Sequence, residues 1–155
     1  MSKAHKSFPS YDTRPAQKAS VPSSGEPARP DSTTTAPPQT LDQRIASATH
    51  VALQASGKQD DKEVRNAIKK AATRVRTAGF GVTMAFALGK KEQHLIVAKA
   101  WCAVLKDLGH PQYATPEPAL QSWTTADLAQ ARRITELSER VLEWLAKWAD
   151  AHKSD

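Results

Sequence analysis

Seven of the ten prolines of this 155-residue chain crowd into its first 38 positions, at 9, 15, 22, 27, 30, 37 and 38. Proline fixes φ and donates no backbone hydrogen bond, so a regular helix or sheet ladder does not run through such a stretch. Residues 1–38 are otherwise Ser, Thr and Ala-rich, with only Phe8, Tyr11 and Val21 as sizeable apolar side chains. A segment of that composition buries too little surface to offset the entropy of ordering it, and reads as a disordered tail. Folding is left to residues 39–155, enough for one modest core. The tail lacks the apolar centre of a signal peptide, and its prolines and acids (Asp12, Glu26, Asp31) suit a transit peptide poorly, so the chain reads as cytoplasmic.

The body shows helical rather than alternating periodicity, so an all-α bundle of about five to six helices is the predicted fold class. A first helix runs from an N-cap at Thr40 to about Ser56, with Leu41, Ile45, Ala48, Ala52 and Ala55 on one face and Gly57 as its stop. The Asp60-x-x-Glu63 pattern marks the start of a second. It buries Val64, Ala67, Ile68, Ala71 and Val75 and ends near Ala78, where Gly79 provides a left-handed turn. A short third helix spans about 81–88. The fourth, about 92–108, is apolar nearly all round and belongs at the centre of the bundle. Pro111, Pro116 and Pro118 suggest a long surface loop over 109–123 with room for one helical turn. A fifth helix starts near Thr124 or Thr125 and reaches about His152.

Several classes of chemistry find no support. Mean hydropathy is −0.56, and no apolar run approaches the ~20 residues that cross a bilayer. One cysteine closes no internal disulfide and builds no cysteine-based zinc site. Cys102 falls on the apolar fourth helix, where a small buried hydrophobe is the simpler reading than a nucleophile. His5, His50, His94, His110 and His152 have no ligand partner at the familiar metal spacings, so no metal or other cofactor is expected. Gly79-Phe80-Gly81 lacks the third glycine of a dinucleotide fingerprint and the Gly-Lys-Ser/Thr of a phosphate loop. No carboxylate pair suggests acid–base work, and the chain is not expected to be an enzyme.

Charge is informative. The net charge of +6 favours a polyanionic partner. Glu63 is the only acid between Lys62 and Lys91. With ~100° per residue and Val64 at zero, Lys62, Arg65, Lys69 and Arg76 share one stripe of the second helix, between about 100° and 160°. Lys70 and Arg74 lie on the opposite flank, and Lys90 and Lys91 follow the third helix. Lys62, Arg65, Lys69, Arg76, Lys90 and Lys91 are the main candidates for nucleic-acid phosphates and Lys70 and Arg74 secondary ones; a merely solvated face is the plain alternative. On the fifth helix Arg132, Glu136, Arg140, Glu143 and Lys147 form i,i+4 pairs that neutralise one another, leaving Arg133 as a further secondary nucleic-acid candidate. Leu137, Trp144 and Trp148 lie on that helix's apolar arc and are candidates for a protein interface, with ordinary packing as the alternative.

The order of these pieces resembles a known family. Thr40-Leu41-Asp42-Gln43-Arg44 opens the first helix, a basic helix leads into Arg76-Thr77-Ala78-Gly79-Phe80-Gly81-Val82-Thr83-Met84-Ala85-Phe86, and Ala131-Arg132-Arg133 precedes Leu142-Glu143-Trp144-Leu145-Ala146-Lys147-Trp148-Ala149. Over about 40–152 this is similar to the small helical subunit of type III-B CRISPR effector complexes, the fifth protein of the Cmr (RAMP) module. Phe80 stands where that family usually has Leu, and Ala78 where an amide is common. The resemblance implies a non-catalytic subunit of an RNA-guided antiviral complex. Its partners would be the other complex subunits, copies of itself stacked into a minor filament, and the backbone of guide and target RNA, with no membrane. A helical adaptor that binds only protein, or a stand-alone nucleic-acid-binding protein, is the competing expectation.

Overall fold

The structure, a computed structural model, describes residues 36–153; the expected disordered tail lies outside them except for 36–38, which have no regular secondary structure. Five α-helices follow: α1 (Leu41–Ser56), α2 (Lys62–Leu88), α3 (Glu92–Asp107), α4 (Pro116–Thr124) and α5 (Leu128–Ala151), with a 3-10 turn at Pro111–Tyr113. No strand occurs among the described residues, so the all-α expectation holds.

Local chemistry sets the helix ends. Thr40 Oγ1 accepts from the Gln43 amide while Gln43 Oε1 accepts from the Thr40 amide, a reciprocal cap at the predicted start of α1. Gly57, at φ 62°, closes α1 where expected. The α2 cap is Asp61 rather than Asp60, its Oδ1 accepting from the amides of Glu63 at 2.8 Å and Val64 at 3.4 Å. Helical geometry stops at Gly79 as expected, and α2 is two helical segments joined across that kink. Gly79 adopts φ 78° and ψ 178°, and the chain resumes helix at once, so the second and third predicted helices form one interrupted element.

The 109–123 segment is not a loop. Pro116 is the first residue of α4 and Pro118 lies in the same turn. Amides there have no intrahelical acceptor in any sequence, so proline forfeits nothing. Thr124 therefore ends α4, and α5 begins four residues later, at Leu128, under the Asp127 side chain, which accepts from the Gln130 amide at 2.8 Å.

As its all-round apolarity predicts, α3 packs against every other helix and the 3-10 turn. Trp101 on α3 is fully buried, and its indole N–H donates to Ser138 Oγ of α5 at 3.0 Å. Phe80 meets Trp101 edge-on at 5.0 Å and Tyr113 at 5.4 Å. The Gly79 break leaves backbone groups to satisfy. The Phe80 amide donates to Thr135 Oγ1 at 3.2 Å, and Thr83 Oγ1 donates to the Gly79 carbonyl at 2.8 Å. Buried side chains such as Ile45, Leu53, Ile68, Met84 and Leu105 supply the bulk of the stabilisation, about 1.5–3 kcal/mol each.

Gly81 is required for a different reason from Gly79. A Cβ at position 81 would lie inside the van der Waals envelope of the Trp123 ring, which α4 lays across this point. Overpacking of that kind costs about 1–3 kcal/mol. Gly81→Ala is therefore expected to lower unfolding stability by that amount in a urea titration, and the double variant with Trp123→Leu should recover part of the loss.

Candidate nucleic-acid interface

The two flanks of α2 meet different neighbours. Lys69 and Arg76, on the predicted stripe, face α5. Lys69 Nζ lies 2.7 Å from Asp150 Oδ1, and Arg76 Nη2 lies 3.7 Å from Glu143 Oε2. Glu143 also holds Lys147 at 3.1 Å, one of the i,i+4 pairs expected on α5. Arg132–Glu136 and Glu136–Arg140 are not among the ion pairs of the described residues, and Arg140 instead reaches Asp42 of α1 at 3.0 Å. Arg65 turns toward the backbone, its Nη2 donating to the Asp60 carbonyl at 3.3 Å. Lys62 is exposed at the first residue of α2. Exposed pairs stabilise a fold by only ~0.2–1 kcal/mol, but each cancels a charge that a polyanion would otherwise meet.

On the other flank the cations stay uncompensated. Lys70, Arg74, Lys90 and Lys91 make no ion pair with any described residue. Lys70, Lys90 and Lys91 line a notch of about 280 Å³ between α2 and the start of α3, together with one acid, Glu63, and with Asn66, Gln93 and His94. One wall is fixed by Gln93 Nε2 donating to Glu63 Oε2 at 2.6 Å. Arg74 is held beside the notch with its guanidinium carbon 3.3 Å from the centroid of the Phe86 ring. The Lys90 ammonium is 5.2 Å from the same ring, and the His94 imidazole meets it edge-on at 5.4 Å. Phe86 and His94 therefore join the sequence-derived cations. No pattern in the sequence announces that contact, because it spans the Gly79 break.

The remaining candidates lie elsewhere. Arg133 is exposed beside a separate cavity of about 430 Å³ formed with the 3-10 turn and the α4–α5 junction. Leu137, Trp144 and Trp148 are half-buried against the core along α5. Trp148 is committed internally: its indole N–H donates to the Ala46 carbonyl of α1 at 2.9 Å, and its ring lies 4.5 Å from His50. Trp144 retains a partly open ring with the Lys147 ammonium 4.6 Å from its centroid. Cys102 is fully buried, and burial pushes its thiol up to about 12. Among the described residues no cluster of three or more His, Cys, Asp or Glu could hold a metal ion, and no helix is long and apolar enough to cross a membrane.

The field of the cation cluster acts on His94. Burial lowers its pKa below the ordinary 6.5, and the charges of Lys70, Arg74 and Lys90 lower it further. The folded chain therefore takes up the His94 proton less readily than the unfolded chain. This contribution to stability is intact above pH 6.5 and is lost as pH falls through the folded value. An NMR titration of the His94 ring should give a midpoint below 6.5, and Lys70→Met should move it upward.

A family model for the CRISPR-associated protein Cmr5 matches residues 41–152, from the first residue of α1 to the C-cap of α5. No curated protein matches. Among solved structures, the crystal structure of a CRISPR-associated Cmr5 family protein from Thermus thermophilus aligns with a TM-score of 0.63 at 23% identity. The alignment covers 75% of this chain and 100% of that one. At this identity the structural likeness establishes the fold; the family model, which covers the whole helical body, establishes the kinship. The chain belongs to the Cmr5 family, the small helical subunits of type III-B CRISPR complexes.

Proposed function

We propose that this protein is a non-catalytic, cytoplasmic subunit of an RNA-guided antiviral effector complex, in which it supports guide and target RNA through a basic face. The observation that carries this reading is the asymmetry of α2. One flank is offset by Asp150 and Glu143, while Lys70, Arg74, Lys90 and Lys91 gather on the other without a carboxylate partner among the described residues. These four are the proposed centre of the RNA face. Lys62, Arg65, Lys69, Arg76 and Arg133 are assigned to its periphery, where local partners or distance reduce their pull.

The proposed mechanism is electrostatic. Lysine ammonium groups meet phosphate oxygens and fix the position of the strand without reading its bases. Such support suits a complex whose specificity is carried by base pairing between guide and target. Copies of the chain stack into a minor filament, and the same face repeats along the duplex. Several modest contacts then act as one through high effective concentration. Leu137, Trp144 and Trp148 are the proposed contact edge toward neighbouring subunits, with Trp144 the most available of the three.

Salt dependence tests the assignment. Each phosphate contact to single-stranded RNA contributes roughly −0.7 to the slope of log affinity against log salt. In the complex recovered from its native host, Lys70→Gln/Lys90→Gln/Lys91→Gln should flatten that slope by roughly 2 for each copy engaged. Lys69→Gln/Arg76→Gln should change it by well under that amount. An unchanged slope in the triple variant would remove the basic face from the account. Recovery of protein partners without guide RNA would favour an adaptor instead, and salt-sensitive RNA binding outside any CRISPR complex would favour a stand-alone nucleic-acid-binding protein.

A further inference from the structure

Arg74 is an unusual phosphate ligand. A guanidinium that serves only as a charge gains from being mobile and hydrated. Arg74 is half-buried, and its guanidinium carbon sits 3.3 Å above the centre of the Phe86 ring. In an unbroken helix these two residues would lie roughly 18 Å apart along the axis, so the contact depends on the Gly79 break. Phe86 is itself held by the edge of His94 at 5.4 Å. The side chain of Arg74 is therefore fixed in orientation before any ligand arrives.

Beyond Phe86, Arg74 borders an open groove of about 440 Å³ shared with Lys69, Lys70, Thr73 and Thr77. Arg74 thus borders this groove on α2 and sits over the Phe86 ring as well. A planar, weakly hydrated cation that sits over an aromatic ring and borders an open groove suits a flat π-system. Nucleobases stack on arginine planes and on aromatic rings alike, and unpaired bases are those free to do so. Lys70 lies one turn before Arg74, and the Lys90 ammonium is 5.2 Å from the Phe86 centroid, so positive charge flanks the platform. His94, its pKa lowered, is uncharged near neutral pH and has both a donor and an acceptor nitrogen.

We propose that Arg74, held on Phe86, is a stacking platform for one unpaired nucleobase of the bound RNA, with Lys70 and Lys90 taking the phosphates beside it. The proposal rests on the RNA reading above and adds a base contact to what is otherwise a set of phosphate contacts. It remains blind to sequence, since every base has a π face.

Two single-stranded oligoribonucleotides of equal length and equal phosphate number separate the two ideas, one with all its bases and one with abasic residues throughout its centre. Full chain is titrated with each at low salt. The base-containing strand should bind about tenfold tighter, the scale of one base–aromatic stack. Arg74→Lys keeps the charge and the aliphatic stem but removes the plane. It should lose most of that difference, its loss on the base-containing strand exceeding any loss on the abasic strand several-fold. Phe86→Leu, checked for retained helicity by circular dichroism, should behave alike. Equal affinity of the parent for both strands, or equal losses on both strands in the Arg74→Lys variant, would overturn the platform and leave the phosphate reading standing. Absence of salt-sensitive binding to either strand would overturn both.

Discussion

The positive φ of Gly79 is the constraint on which the rest of this structure depends. A straight α2 would carry Phe80 and Phe86 along one rod and take Phe80 away from Trp101 of α3 and Tyr113 of the 3-10 turn. The break turns the helix so that Phe80 enters the core against Trp101 and Tyr113. Of the backbone groups it frees, the Phe80 amide is taken by Thr135 and the Gly79 carbonyl by Thr83. Trp101 then links α3 to α5 through Ser138. Gly81, two residues on, admits the Trp123 ring and so determines where α4 lies. The same turn brings Phe86 back under Arg74. Core, helix order and basic cluster all follow from one residue with no Cβ.

The electrostatics follow from the packing. Both flanks of α2 are basic in sequence, but α5 lies along only one of them and brings Asp150 and Glu143 with it. The other flank meets the turn before α3, which contributes Lys90 and Lys91 and no ion-paired acid. These interactions matter little for stability and a good deal for the field, because a paired surface charge is nearly invisible to a polyanion beyond a Debye length of ~8–10 Å. The family places the chain in a type III-B CRISPR complex, and the asymmetry of α2 is what supports the proposed RNA face.

What was legible in the sequence was mostly local. Thr40 and Gly57 bound α1 as read, and the apolar circumference of α3 predicted its central place. Gly79 was correctly read as a left-handed position. Whether a chain stops or bends there is decided by Thr135, more than fifty residues away, which satisfies the freed amide. Proline misled at α4, because its cost depends on position within a helix: Pro116 and Pro118 sit in the one turn that needs no amide donors. Angular counting found the cations of α2 but could not show which flank α5 would neutralise. The contribution of Phe86 and His94 to the cluster was out of reach for the same reason, since no periodicity survives a broken helix.

The most direct test is to recover the complex from its native host through a tag on this subunit, irradiate it to cross-link RNA to protein, and map the linked peptides by mass spectrometry. The account predicts guide RNA in the preparation and cross-links within residues 70–94, around Arg74, Phe86 and Lys90. Cross-links on this subunit confined to α5, or a preparation that holds the protein partners without guide RNA, would contradict it.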